Sequence, residues 1–182
     1  MKLKNISVFG LEESKVGASF PMSTDESTLK VPEMINKLGS VRSGTGHDCF
    51  LKGIRVILDV EATQFEWMQI ERYVFFDIIS SQSKMHKLTV MNLEDQLDEH
   101  VNAFARLGIE QALKEFKLDN NYHKLMCNVP SGLYLSARCS TNYMQLKTMY
   151  NQRKNHRLIG WKHFCMTCDS LPEFNALTGC KL

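Results

Sequence analysis

Between Arg153 and Arg157 the sequence reads Arg-Lys-Asn-His-Arg, which places three fixed positive charges and an imidazole near one helical turn. Guanidinium forks bind oxyanions bidentately, so such a turn suits a phosphate or a carboxylate. A solvated basic helix end, favoured by the helix macrodipole, is the other reading of the same residues. The chain before this run, from Ser140, repeats Tyr143, Leu146, Met149 and Tyr150 at three- and four-residue steps. That period predicts a helix over 140–156, with Ser140 or Thr141 as its N-cap. Asn142, Thr148, Gln152, Arg153, His156 and Arg157 fall on its other faces.

A second group with chemical potential lies in the apolar stretch that begins at Trp67. Gln69, Arg72, Phe76, Ser80 and Ser83 follow one another at three- and four-residue intervals. In a helix over Trp67–Ile79 they would share one face. Arg72 in that setting would be partly buried and would need an anion. Glu71, Asp77 or another internal carboxylate could supply it, and so could a ligand phosphate. The serines that follow offer small hydroxyls and accessible backbone amides to a nucleotide. His163, Cys165, Cys168 and Cys180 contain a Cys-x-x-Cys, a pattern open to zinc or redox chemistry. No second ligand pair stands at zinc spacing, and the two thiols sit one helical turn apart among apolar neighbours, so packing is the reading adopted. His100 and His123 have polar neighbours and are expected at the surface, and Met126, Met144 and Met149 are expected to pack.

Several elements must hold these residues. Ile6–Phe9 is strand-like, and a short helix should begin near Pro32 and end at Gly39. A Gly/Ser loop over 40–48 leads into Phe50–Val60, whose β-branched alternation predicts a strand. Asn92–Lys117 reads as a helix with Asn92 as its cap and a break at Gly108, followed by a turn at Asp119–Asn121. Strands and helices alternate without regular βαβ units, which favours an α+β fold.

The 182 residues, 43% of them hydrophobic, suffice for one substantial core, and the expectation is a single domain over 1–182. A net charge of +2 gives no electrostatic footprint for nucleic acid, so none is expected as a partner. No apolar run approaches the ~18 residues of a membrane span, and the start lacks a signal peptide's apolar core. Six cysteines without an export signal point to reduced thiols and a cytoplasmic location.

Taken together, the intervals from His47 to Trp161 resemble those of the flavin-dependent thymidylate synthases. That family has a histidine entering a strand and a glutamine 22 positions on, here His47 and Gln69. Three residues later comes the arginine that opens its Arg-His-Arg…Ser-x-Arg-Tyr signature, here Arg72. With one residue inserted, Ser83 takes the signature serine's place and Ser81 that of an acidic substrate contact. Pro130, Tyr134, Asn142 and Arg153 then follow at the family's spacing.

The resemblance implies an α+β domain with a mixed or antiparallel sheet and long helices. It implies methylation of a pyrimidine deoxynucleotide, of the dUMP-to-dTMP type, with FAD as cofactor and methylenetetrahydrofolate and NADPH as co-substrates. Arg153 would hold and polarise the pyrimidine as the catalytic residue. Gln69, Arg72, Ser81, Ser83 and Lys84 would bind the substrate with it. His47, Arg72, Tyr73, Asn142, Thr148, His156 and Arg157 would face the flavin. A homotetramer is implied, because the family builds each site from several subunits. The chain also departs from the pattern. Tyr73 and Val74 replace the signature's second and third basic residues, and Ser83-Lys84-Met85-His86 replaces its Ser-x-Arg-Tyr end. Met144 and Met126 stand where the family has arginines, and Thr148 replaces an amide or imidazole. A catalytically degenerate nucleotide-binding protein on the same scaffold is therefore the alternative, and a nucleic-acid-binding module using the 153–157 cluster, disfavoured by the near-neutral charge, is a third reading.

Overall fold

The structure is a computed structural model that describes residues 1–90 and 92–182. The described residues form four antiparallel strands, β1 (Lys2–Phe9), β2 (Arg55–Thr63), β3 (Asp77–Ser81) and β4 (Tyr134–Asn142), in the order β1-β2-β4-β3. Along β2 the side chains alternate, with Val56, Leu58, Val60 and Ala62 buried. A two-residue period on a sheet with one covered face produces that pattern. The covering layer is helical: α7 (Tyr143–Arg153), α8 (Ile159–Asp169) and α9 (Phe174–Thr178). Tyr143, Tyr150, Trp161, Phe164 and Phe174 fill the space between, all essentially inaccessible to solvent.

Two short helices, α1 (Leu11–Gly17) and α2 (Ile35–Ser40), precede β2, and α3 (Gln64–Ile70) follows it. After β3 come α4 (Lys84–Val90), the long α5 (Ala103–Asp119) and α6 (Tyr122–Cys127). These last helices close over a second apolar cluster around Leu88, Ile109, Leu125 and Leu133. Leu135 of β4 packs against both clusters. No helix among the described residues is long and apolar enough to cross a membrane. The α+β class is as expected, with helices packed on an antiparallel sheet.

Several element boundaries differ from the sequence expectation, and β1 already begins at Lys2, ahead of the expected Ile6. The helix placed at Trp67–Ile79 starts earlier, at a capping box in which Glu66 accepts the Thr63 N–H at 2.9 Å, and stops at Ile70. Residues Asp77–Ser81 are instead an edge strand paired with β4. The run from Tyr73 to Ile79 is aromatic and β-branched, and a short apolar run of that kind is ambiguous in period. The shared helical face of Gln69, Arg72, Phe76, Ser80 and Ser83 therefore does not exist.

Ser140 and Thr141 belong to β4, paired with Ile57 and Val56, and Asn142 caps α7 by accepting the Gln145 N–H at 2.9 Å. Asn92 heads no long helix. Between α4 and α5 the described residues hold one 3-10 turn, Glu94–Gln96, and the α5 cap is Asn102 accepting from Ala105 at 2.9 Å. Gly108 lies inside α5 without breaking it, because no neighbour or special dihedral competes with the helix there. Finally, Cys49–Lys52 form a 3-10 turn, so only the Arg55–Val60 part of the expected Phe50–Val60 strand is extended. Gly53 marks the switch: a Cβ there would lie 2.3 Å from Ser14 Oγ.

Candidate functional site

Arg153 ends α7, and its guanidinium folds back over the aromatic layer. Its Cζ lies 4.5 Å from the Trp161 ring centroid and 5.5 Å from that of Tyr73, within cation–π range. Nε donates to the Tyr73 hydroxyl at 2.7 Å, and that hydroxyl donates to Gln152 Oε1 at 3.0 Å. Gln69 Oε1 accepts from Trp161 Nε1 at 2.9 Å and more loosely from Arg153 NH1 at 3.4 Å. A guanidinium carries five N–H donors, and two are engaged here. The rest remain for a ligand, on a head group whose orientation is already fixed. Arg153 is thus a built feature rather than a solvated helix end.

The local sequence accounts for this cage. The turn after Ile70 brings Tyr73 back under α7, and Gln69 lies on the last turn of α3. At the start of α8, Trp161 is fully buried. A cleft of about 370 Å³ opens beside Arg153, lined among others by Arg72, Tyr73, Phe75, Gln145, Thr148 and Gln152. The volume is in the range of small-molecule sites.

Of the residues singled out in the sequence, Gln69, Arg72, Tyr73, Thr148 and Arg153 come together here. Arg72 is exposed, not partly buried, because the chain around it is a turn and not a helix, and so it needs no internal carboxylate. Tyr73 contributes its hydroxyl to Arg153, and the Thr148 hydroxyl donates back to the Met144 carbonyl at 3.0 Å. Asn142 is buried with its side-chain oxygen engaged as the α7 cap. His156 stands edge-on to Trp161 at 6.2 Å, and its Nδ1 accepts the Leu158 N–H at 3.1 Å. Burial lowers its pKa, and the charges of Arg153 and Arg157 lower it further. Arg157 is exposed.

The remaining residues lie elsewhere in the chain. Ser81 and Lys84 line a different cleft of about 310 Å³, with Trp67, Glu71 and Gln82. Ser83 stands at the head of α4, where Oγ accepts the His86 N–H at 3.3 Å. His47 borders a third cavity of about 830 Å³, mostly apolar, with Met22, Met34 and Phe50. Cys165, Cys168 and Cys180 are buried, and burial pushes all three thiols up, Cys165 to about 11. Thiols in that state are packing groups rather than nucleophiles. His100 and His123 are exposed, and Met149 is fully buried.

Comparison with solved structures identifies the architecture. A flavin-dependent thymidylate synthase ThyX from Helicobacter pylori, solved with FAD and dUMP, superposes with a TM-score of 0.77 over 100% of both chains at 17% identity. A second structure of thymidylate synthase X from Helicobacter pylori, with FAD and dUMP, gives 0.76 at 16% identity over 97% of this chain and 99% of that one. This chain has the flavin-dependent thymidylate synthase fold. By sequence, no family model and no curated protein matches it. One member of the Arg153 cage, Trp161, was not among the site residues read from the sequence. Trp161 enters through a tertiary contact that no local period encodes, and Gln152, already placed on a polar face of the helix, meets Tyr73 through another.

Lys147 was also missed. It is buried and donates to Asp48 Oδ2 at 2.8 Å and to the carbonyls of Gly39 and Val41 at 2.7 and 2.5 Å. A signal was present: Lys147 is four residues after Tyr143 and three before Tyr150, on the apolar face of α7.

Proposed function

We propose that the chain, acting as one domain over 1–182, is a divergent flavin-dependent methyltransferase of the thymidylate synthase type. It would methylate a pyrimidine deoxynucleotide using methylenetetrahydrofolate and reduced nicotinamide, in the cytoplasm. The observation that carries this reading is the Arg153 guanidinium, oriented by Tyr73, Gln69 and Trp161 beside an open cleft. A preoriented cation in a partly buried site stabilises negative charge that develops on a pyrimidine ring. Gln69 and Arg72 would position the same ligand.

The residues around the cleft suit the polar groups of a flavin in part. Arg72 and Tyr73 line it with free donors and an aromatic face, whereas the Asn142 oxygen and the Thr148 hydroxyl already have partners in α7. Bound there, FAD would supply the hydride and mediate methylene transfer. This chain's residues would orient the pyrimidine, polarise it through Arg153 and exclude water with Trp161 and Phe75. His47, Ser81, Ser83 and Lys84 lie outside the Arg153 cleft of their own chain. A homotetramer in which neighbouring copies contribute them to each other's sites would reconcile that separation with their proposed roles, and a dimer is the lesser alternative. The partnered Asn142 and Thr148 favour a second reading, a catalytically degenerate protein that binds the nucleotide only.

One experiment separates the two. Purified protein reconstituted with FAD should show flavin absorbance and convert dUMP to dTMP when given methylenetetrahydrofolate and NADPH. Protein that binds dUMP but never retains flavin would establish the second reading, and protein that binds neither would end both.

A further inference from the structure

Lys147 closes a loop. Its ammonium has three N–H donors, and the three acceptors are Gly39 O, Val41 O and Asp48 Oδ2. Gly39 and Val41 lie at the C-terminal end of α2, where orphan carbonyls and the helix dipole favour a cation. Asp48 lies seven residues beyond Val41, fully buried. The chain from Arg42 to His47 thus leaves and returns through a single neck, held to α7 by one side chain. Within it Gly44 and Gly46 adopt φ of 97° and 87°, a region open to glycine. All six residues are exposed. A buried ion pair is weak evidence for stability, and removing one partner leaves a costly charge behind. Its effect here is to fix where the loop sits.

The position it fixes is beside the Arg153 cleft. A neighbouring cavity of about 430 Å³ is lined by Arg42, Ser43, Lys147, Thr148, Asn151 and Gln152, among others. Thr148 and Gln152 also wall the Arg153 cleft, so the two hollows flank one face of α7. The lining of the loop-side cavity includes two cations and no carboxylate. Lys147 is neutralised by Asp48, which leaves Arg42 as the free charge among the described lining residues, with hydroxyl and amide groups around it. Such a set binds a phosphoryl oxyanion.

We propose that Arg42, held by the Lys147–Asp48 clasp, forms an anion subsite that takes a phosphate of a ligand bound at the adjoining Arg153 cleft. Lys147 is a positioning residue in this arrangement. The proposal rests on the functional reading above for the identity of the ligand. The phosphate could belong to the nucleotide or to the diphosphate of the dinucleotide cofactor.

Calorimetric titrations of the full chain with inorganic pyrophosphate, dUMP and FAD test it. Arg42→Ala, a change on an exposed loop, should weaken pyrophosphate binding about tenfold, the worth of one charge-assisted contact. The same loss for dUMP or for FAD identifies which ligand supplies the phosphate. Lys147→Met should weaken pyrophosphate binding as much with Arg42 intact, and should speed tryptic cleavage after Arg42. If Lys147→Met does not fold, Asp48→Asn, which keeps an acceptor but frees the Lys147 charge beside the cavity, is read in its place by tryptic cleavage alone. Pyrophosphate binding unchanged in Arg42→Ala overturns the subsite, and unchanged binding and cleavage in the clasp variants overturns the positioning role. Protein that binds pyrophosphate through Arg42 but binds neither dUMP nor FAD would leave the subsite standing and refute the proposed function.

Discussion

At the scale of single residues, the contrast between Arg153 and its neighbour is decisive. Arg153 is held by a phenol, an amide and an indole face, whereas Lys154 is exposed. Arg153→Ala should abolish turnover and cost about 2–5 kcal/mol of nucleotide binding, the range for truncating a hydrogen-bonded charge in a buried site. Lys154→Ala should leave both within experimental error, and kinetics with calorimetry on the two variants checks the contrast. His156 gives a pH signature. Burial and the nearby arginines favour its neutral form, whose Nδ1 accepts the Leu158 N–H. A histidine whose folded pKa is depressed binds fewer protons folded than unfolded. Its contribution is therefore complete above the unfolded value of about 6.5 and is lost as pH falls below it. The imidazole should titrate below 6.5 by NMR, and Arg157→Gln should move it upward. A value at or above 6.5 would contradict the cage geometry.

At the scale of elements, two variants probe how α2 and α7 are seated. Gly39 faces α9 so closely that an added Cβ would stand 2.0 Å from the Leu177 carbonyl oxygen. Neither backbone can yield cheaply, so Gly39→Ala should cost about 1–3 kcal/mol, measured by urea unfolding. Asn142→Ala removes the α7 cap and should cost about 1 kcal/mol. This level also shows what a sequence can carry. The apolar spacing in α7 and the alternation in β2 are local signals, and both elements were legible. The 140–142 and 71–79 segments were not. β-branched and aromatic runs fit either period, and pairing with β4 decided for strand at 77–81. Gly39 was read as a helix stop but is a packing contact. In the candidate site, Arg153, Gln69 and Tyr73 were singled out through the family's intervals, but their meeting through the Tyr73 hydroxyl and the Gln69 amide was not. Trp161 and the Asp48–Lys147 pair depend on contacts 92 and 99 residues apart in the chain, which no window covers.

At the scale of the whole molecule, the uncovered apolar surface bears on assembly. β3 is an edge strand with every residue exposed, and Val74, Phe75, Ile78 and Ile79 cluster on it and its approach. Phe75 is 64% and Val74 80% accessible, and Phe75 also lines the Arg153 cleft. An exposed apolar edge of this kind is a liability in a monomer, which natural proteins blunt with charge or cover with a partner. Here Asp77 is the one charge within residues 73–81, and no lysine or proline interrupts them. If a second copy covers this edge, the same contact encloses the cleft and excludes water from Arg153. Sedimentation of the wild-type chain should then show a tetramer at micromolar concentration. Ile79→Lys should shift it toward smaller species without changing the far-UV circular dichroism, since the side chain is 55% exposed in the single chain. Flavin retention should fall together with association, because the cleft would lose its cover. A wild-type monomer would refute shared sites. A tetramer that Ile79→Lys leaves intact would move the interface away from β3 and separate enclosure of the cleft from assembly.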